Sequence, residues 1–354
     1  MSAFNQPSWQ RGRVVSTDPA ADAIARIVLA LDTPVRAEPG SHVDVRLDTG
    51  EVRSYSVVST GTAGTVVSTG TAGTVVSTGT AGTVVSAGAD GRTVTLGVHL
   101  SPTSRGGSRF MHALRPGDEL DVTAPLQNFP LRIGARRYVL LAGGIGITAI
   151  SAMGTALKRV GADYRLVYVA RTRSAAAFLS ELAALHGDRL ELHLDDEGTG
   201  LDVGTLVDGV DAHTELYMCG PIRLMDAVRR AWTDRELPLP NLRYETFGNS
   251  GWFDAEEFVV KVPDLGVETT VGTDESLLDA LERAGVDMMF DCRKGECGLC
   301  QVGIAAVDGA VDHRDVFYSE EQKAAATKLC ACVSRVVRRP GAPAVPGTVT
   351  LAVR

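Results

Sequence analysis

The chain lacks the marks of a secreted or membrane-bound protein. Its first 13 residues hold no apolar core between a basic start and a small-residue cleavage site, so no signal peptide is expected. Of the six cysteines in 354 residues, only Cys219 stands outside two C-terminal clusters. A secreted disulfide framework does not distribute its cysteines this way, so a reducing, cytoplasmic setting is expected. Paired Cys-x2-Cys units are missing too, which argues against a structural zinc site. Nor is there an excess of basic charge: the net charge is −8, and Trp252 to Cys330 carries 17 acidic against 7 basic residues. Nucleic acid is therefore not an expected partner of that segment, whereas opposite charge would steer a basic protein surface to it. Tyr138 to Leu157 is twenty residues without a charge, long enough for a membrane span. Its glycines divide it into strand, turn and helix instead, so no membrane partner is expected.

What the chain does have is concentrated near its end. Asp291-Cys292-Arg-Lys-Gly-Glu-Cys297-Gly-Leu-Cys300 is followed by Cys330-Ala-Cys332-Val-Ser-Arg. Cys-x4-Cys-x2-Cys with a distant fourth Cys is the plant-type spacing for a [2Fe-2S] cluster, making Cys292, Cys297 and Cys300 ligands. Gly295 and Gly298 suit a loop that must turn sharply and bring backbone N–H groups to sulfur. Twenty-nine residues separate Cys300 from Cys330 and thirty-one separate it from Cys332, so spacing leaves the fourth ligand open. On an extended segment both thiols would point the same way.

Ahead of this segment the pattern changes twice. Residues 10 to 58 alternate like short strands, punctuated by Pro39-Gly40 and Thr49-Gly50, as in an antiparallel barrel or sandwich. On one such strand Arg53 and Tyr55 share a face, so a guanidinium could meet a phosphate while an aromatic ring covers a flat heterocycle; an ordinary cross-strand pair has the same pattern. Residues 57 to 83 are three copies of Val-Val-Ser-Thr-Gly-Thr-Ala-Gly-Thr, read as an exposed, mobile expansion within a hairpin. Gly106-Gly107-Ser108 opens a short helical pattern whose N–H groups suit a phosphate or simply an N-cap. From Tyr138, apolar strands alternate with helices near 147 to 160, 175 to 186 and 222 to 232, the mark of a doubly wound parallel sheet. Gly143 to Thr148 and Cys219-Gly220-Pro221 each follow a strand and precede a helix, the edge where such sheets bind ligands, although Gly143-Gly144-Ile145-Gly146 is not a full dinucleotide fingerprint. After Phe247 a hairpin, a helix from Ser276 to Ala284 and the cysteine loop indicate a small α+β domain.

Taken together, Arg53-Ser-Tyr55-Ser56, Arg105-Gly-Gly107-Ser108, Asn128-Phe-Pro-Leu131, Leu141 to Thr148, Cys219-Gly-Pro221, Glu245-Thr-Phe247-Gly, Asp312-His-Arg-Asp315 and the two cysteine motifs resemble the phthalate dioxygenase reductase type of flavin iron–sulfur reductase. The resemblance implies three domains: an antiparallel β-barrel for FMN over residues 1–134, an α/β nicotinamide-dinucleotide domain over 135–246 and a β-grasp ferredoxin domain over 247–354. It also implies that Arg53 and Ser108, beside Gly107, hold the flavin phosphate. Tyr55 and Ser56 would hold the ring, with Val98 and His99 at the flavin and Phe247 near the isoalloxazine. Gly144, Gly146 and Thr148 would face the pyrophosphate, Arg171 its ribose side and Cys219 the nicotinamide. Cys332, directly before Val-Ser-Arg, would be the fourth cluster ligand. Two departures stand out: Ala149 replaces a customary proline, and the nonapeptide repeats interrupt the flavin strand. The activity implied is electron transfer by a monomer from NADH through FMN and a [2Fe-2S] cluster to a terminal Rieske-type oxygenase, with no catalytic acid or base. A cytochrome P450 acceptor, or a flavin-less carrier with a disabled barrel, is the alternative.

Overall fold

The alternating residues of the first hundred positions close on themselves. The computed structural model describes residues 7–60, 91–102, 104, 106–247, 251–339 and 345–352. Contacts divide the chain into two units, one of Met1–Ser101, Gly106–Leu201 and Ala212–Met218, the other of Pro102–Arg105, Asp202–Asp211 and Cys219–Arg354.

In the first unit, β1 (Trp9–Ala21), β2 (Ile24–Leu31), β3 (Ser41–Arg46), β4 (Val52–Thr60), β5 (Thr93–His99) and β6 (Glu119–Thr123) pair antiparallel in the order β4-β5-β2-β1-β6-β3. β3 pairs back onto β4, so the sheet is a barrel, with β7 (Leu126–Gln127) added beside β3 and helix α1 (Gly107–Ala113) between β5 and β6. Ile27, Leu29, Val43, Val45, Leu96 and Val122 are fully buried in its interior. Burial of each such side chain contributes about 1.5–3 kcal/mol relative to exposure, and on β3 it fixes the register from Val43 to Arg46, where buried valines alternate with Asp44 and Arg46.

The next elements are β8 (Arg137–Gly143), α2 (Ile147–Arg159), β9 (Tyr164–Ala170), α3 (Leu179–His186) and β10 (Leu190–Leu194), then α4 (Val203–Asp208), β11 (Thr214–Cys219), α5 (Ile222–Asp234) and β12 (Leu242–Glu245). Strands β10, β9, β8 and β11 stand in that order, and β9 pairs parallel with both β8 and β10. The uncharged stretch from Tyr138 is thus β8, a tight turn and α2; among the described residues no helix is long and apolar enough to cross a membrane. The helix expected from residue 175 begins later, at Leu179. Phe178 takes a left-handed φ of 58°, and its ring lies where a Cβ on Gly97 would stand, 3.0 Å from Cε2. Packing of that ring overrides helix propensity for the preceding turn.

The second unit continues with β13 (Phe258–Val262), β14 (Val267–Val271), α6 (Leu277–Arg283), β15 (Gln301–Asp308), β16 (Ala310–Asp312), α7 (Glu320–Ala325), β17 (Lys328–Cys330), β18 (Arg335–Val337) and β19 (Gly347–Ala352). They form a mixed sheet, β14-β13-β19-β15-β17, and a two-stranded β16-β18 ribbon. Phe258, Val260, Leu277, Leu281, Leu329 and Val349 share one core. α6 starts at a capping box in which Ser276 and Asp279 exchange side-chain and backbone hydrogen bonds.

The repeats begin inside the barrel wall. Residues 57 to 83 were expected to leave the strand, but β4 runs to Thr60, and Val57 is buried opposite Leu96. The reason is the repeat itself: Val57-Val58-Ser59 and Val84-Val85-Ser86 are the same tripeptide, so either completes the strand. Residues 61–90, where the expected excursion falls, lie outside the described residues. Excising 57–83 or 60–86 produces the same polypeptide, one that keeps the wall intact. That deletion is expected to retain flavin stoichiometry and melting temperature, measured by absorbance and thermal unfolding; loss of flavin would give the repeats a structural role.

Candidate functional site

Three barrel residues named from the sequence converge. A Cβ placed on Gly107 would stand 2.9 Å from Arg53 Cγ and 3.0 Å from Tyr55 Oη, so β4 and the start of α1 approach as only glycine permits. Arg53 donates to Glu51 Oε1 at 3.1 Å and to the Val52 carbonyl at 3.0 Å. Burial pushes the Tyr55 phenol well above its ordinary range, against the pull of Arg53, so it stays protonated and a hydrogen-bond donor. Ser56 is buried. Ser108 Oγ accepts the Ser101 N–H at 3.2 Å, leaving its own proton free to donate. Val98 is buried, and its carbonyl lies 2.8 Å from His112 Nε2. His99 is held below its usual pKa, first by desolvation and then by the nearby charges of His112 and Arg171. An imidazole so placed is neutral at pH 7.

At the nucleotide turn Gly144 has φ 53°, as the tight turn requires. Thr148 is buried and donates to the Ile145 carbonyl at 2.9 Å. Its Cγ2 would lie 2.7 Å from a Cβ on Gly97 of β5, so Gly97 joins the barrel strand to this turn. Sequence reasoning passed over Gly97; its only signal is a glycine inside a strand pattern, a mark of close approach. Arg171 is exposed, and Arg173 makes a bidentate pair with Glu197 at 3.0 and 2.9 Å.

Cys219, at the end of β11, is buried, and burial, reinforced by Glu245, raises its thiol well above the usual range. A thiol so placed stays neutral and is a poor nucleophile. Phe247 is half-buried two residues beyond β12.

The cysteine loop is shaped for sulfur ligands. Cys292 Sγ accepts the backbone N–H of Lys294 at 3.4 Å, of Glu296 at 3.4 Å and of Cys297 at 3.5 Å. A hydrogen bond from Cys332, together with those N–H groups, lowers Cys292 to about 4, toward the thiolate that ligates metal. Hydrogen bonds from Cys330 and Cys332 lower Cys300 to about 3. Cys330 and Cys332 thus both stand close to the thiols of the loop. The two do not share an extended segment. β17 ends at Cys330, and Ser334 N–H bonds back to its carbonyl at 2.9 Å, so the chain turns there and Cys332 sits on the turn. The intervening 319–328 segment holds α7, capped by Ser319 and Gln322, and β15 carries a register shift between Ile304 and Ala306. Among the described residues no three or more His, Cys, Asp or Glu side chains gather for a single metal ion. A two-iron cluster asks for less convergence, since four thiolates are shared between two irons. Cys297 is exposed while Cys300 is buried, so the loop has a solvent side and a core side.

A flavin-type barrel, a parallel nucleotide sheet and a cysteine loop in one chain define an electron-transfer flavoprotein with a ferredoxin domain. Residues 260–337 match the 2Fe-2S iron-sulfur cluster binding domain. The chain is 36% identical over 326 residues to the putative toluene-4-sulfonate monooxygenase system reductase subunit TsaB2 of Comamonas testosteroni, covering 89% of this chain and 94% of that one. Phthalate dioxygenase reductase, described as a modular structure for electron transfer from pyridine nucleotides to [2Fe-2S], matches with a TM-score of 0.65 at 25% identity over 98% of both chains. An intact type IV self-sufficient cytochrome P450 monooxygenase matches with a TM-score of 0.60 at 30% identity, covering 99% of this chain and 42% of that one. The chain belongs to the phthalate dioxygenase reductase family of flavin iron–sulfur oxidoreductases, the reductase components of oxygenase systems. Its cofactors are a flavin, a [2Fe-2S] cluster and a nicotinamide dinucleotide.

Gly295 and Gly298 have φ of 76° and 73°, and a Cβ on Gly298 would collide with the Phe317 ring. Gly298→Ala is expected to cost about 1–3 kcal/mol through left-handed strain, read by denaturant unfolding, and to lower iron content per chain. Wild-type stability and iron content would mean that the loop has another way to turn.

Proposed function

We propose that the chain is an NADH-dependent reductase that passes electrons through FMN and its [2Fe-2S] cluster to a terminal Rieske-type oxygenase acting on an aromatic or similar small molecule. The observation that carries this reading is the convergence of three backbone N–H groups on Cys292 within a Cys-x4-Cys-x2-Cys loop, in a chain whose barrel brings Arg53, Tyr55 and Gly107 together. Residues 1–134 serve the flavin, 135–246 the dinucleotide and 247–354 the cluster.

Arg53 and Ser108 bind the FMN phosphate beside the cleft that Gly107 leaves open. Tyr55 and Ser56 orient the ring by donating hydrogen bonds, Val98 and His99 line it, and Phe247 covers its face. Gly144, Gly146 and Thr148 admit the pyrophosphate, Arg171 takes the ribose side, and Cys219 lies at the nicotinamide. Cys292, Cys297, Cys300 and Cys332 hold the cluster. Held by these residues, a flavin would supply the exchange between a hydride from NADH, which leaves as NAD+, and two single electrons, with one proton released to solvent. The chain supplies position and exclusion of water, not an acid or a base. The reductase works as a cytoplasmic monomer that meets its acceptor by diffusion, steered by the acidic ferredoxin domain. A cytochrome P450 acceptor is the second reading, favoured by the likeness to 42% of a self-sufficient cytochrome P450 monooxygenase.

Anaerobic NADH is expected to bleach flavin and cluster bands in one preparation and to drive rapid cytochrome c reduction. A purified protein with iron–sulfur bands and no flavin would point to the carrier instead. Comparing a Rieske oxygenase with a P450 as acceptor then separates the two readings.

The fourth ligand is tested by a pair of variants. Cys332→Ser is expected to lose the cluster and partner turnover yet keep NADH-to-flavin reduction, while Cys330→Ser keeps all three. The reverse pattern would move the ligand to Cys330.

A further inference from the structure

Two of the loop residues whose N–H groups point at Cys292 are gripped from outside the loop. Lys294 Nζ lies 3.2 Å from Glu245 Oε1, and the Lys294 carbonyl accepts the Thr246 hydroxyl at 2.7 Å. Glu296 Oε1 accepts the Thr246 backbone N–H at 2.7 Å. The Thr246 hydroxyl also lies 3.1 Å from that oxygen, but its one proton goes to the shorter bond. Glu245 and Thr246 are both 3% exposed, and they lead directly into Phe247. A short path of hydrogen bonds thus runs from the end of β12 through Lys294 and Glu296 to the Cys292 sulfur.

Stability alone is a poor reason for such an arrangement. A buried ion pair roughly breaks even against well-packed apolar side chains, and here Glu245 Oε2 is buried with no hydrogen-bond partner. Charge-assisted bonds do offer direction and fixed distance, which apolar contacts do not. Residues that hold a functional group from behind decide whether it stands within half an ångström of its working place or an ångström adrift.

We infer that Glu245–Lys294 and Thr246–Glu296 form a clasp that fixes Cys292, and with it the cluster, relative to the chain segment bearing Phe247. Lys294, Thr246 and Glu296 are then positioning residues for electron transfer from flavin to cluster. The inference rests on the proposed function. Each transfer moves one electron from reduced flavin to oxidised cluster, and over the two transfers the flavin releases to solvent the one proton it gained with the hydride.

The test uses the loaded holoenzyme and three variants: Thr246→Val, Glu296→Ala and Glu296→Gln. Stopped-flow absorbance separates flavin reduction by NADH from the following cluster reduction. Iron content and the electron paramagnetic resonance spectrum of the dithionite-reduced cluster are read alongside. Thr246→Val and Glu296→Ala are expected to keep flavin and iron and to reduce flavin at the wild-type rate. Their cluster reduction should slow about ten- to a hundredfold, the effect of a small misplacement, with shifted resonance lines. Glu296→Gln retains the accepting oxygen and should restore the wild-type rate and spectrum. Unchanged cluster reduction in both Thr246→Val and Glu296→Ala would overturn the clasp, as would Glu296→Gln behaving like Glu296→Ala, which would make charge and not position the cause. If Glu296→Ala alone loses iron, Thr246→Val decides; loss of iron in both means that these bonds build the cluster site, and the positioning role falls. Failure of the wild type to bleach with NADH would sink the functional reading instead, and the resonance spectra would still test the clasp.

Discussion

A sulfur atom that accepts several backbone N–H groups dictates the path of the chain around it. The three donors to Cys292 come from Lys294, Glu296 and Cys297, which can face one point only if the loop between them curls inward. Gly295 and Gly298 supply the left-handed turns that this curl demands, and Arg293 takes φ 49° as well. These bonds stabilise negative charge on sulfur, the form a metal takes. Spacing, glycines and hydrogen bonds therefore express one constraint, and further contacts hold the second unit together.

Much of the holding is ionic and buried. Lys323 of α7 lies 3.1 and 3.2 Å from the two carboxylate oxygens of Asp226 on α5, and Arg229 reaches the Tyr318 carbonyl at 3.4 Å. Asp312 accepts Arg314 Nε at 2.7 Å and the Trp252 N–H at 2.9 Å. Asp315 accepts the Tyr318 N–H at 2.9 Å and the Ser334 hydroxyl at 3.3 Å. Arg335 ties the Glu275, Glu256 and Gly272 carbonyls together. Pairs of this kind add little net stability over apolar packing, yet breaking one costs about 3–5 kcal/mol because the partner is left charged and dry. The Asp312-His313-Arg314-Asp315 motif ends against the cluster loop, where Val316 N–H donates to the Gly295 carbonyl at 3.0 Å and a Cβ on Gly295 would stand 2.9 Å from Asp315 Cα.

What was legible in the sequence is what chemistry encodes locally. Cys-x4-Cys-x2-Cys, the glycine turn at Gly143 to Gly146 and the helix from Ser276 each need only a few consecutive residues. The alternation of the first strands is equally local, but it left barrel and sandwich open, and the barrel came from the family resemblance. Contacts between distant segments were not legible. Gly97 meets Thr148 and Phe178 some fifty and eighty positions later, and Glu245 meets Lys294 across forty-nine. Cys330 and Cys332 differ by a turn after β17 that no spacing rule records. The repeats misled for a different reason: identical copies make strand and insertion interchangeable, so the boundary drawn at Val57 had no chemical content.

Several ionisable groups of the chain are shifted by burial from their ordinary ranges. Burial raises the Tyr55 phenol and the Cys219 thiol away from neutral pH, and desolvation holds His99 below its ordinary range. Glu245 is pushed up by burial and pulled back by Lys294, its partner at 3.2 Å. A general base works best with a pKa near the working pH and open access to its proton, and the phenol and the thiol are shifted away from that condition. Hydride and single electrons need something else: donors and charges that stand in place before transfer and do not move during it. Groups locked in one protonation state inside a dry site meet that need, because a fixed charge demands no rearrangement when an electron passes.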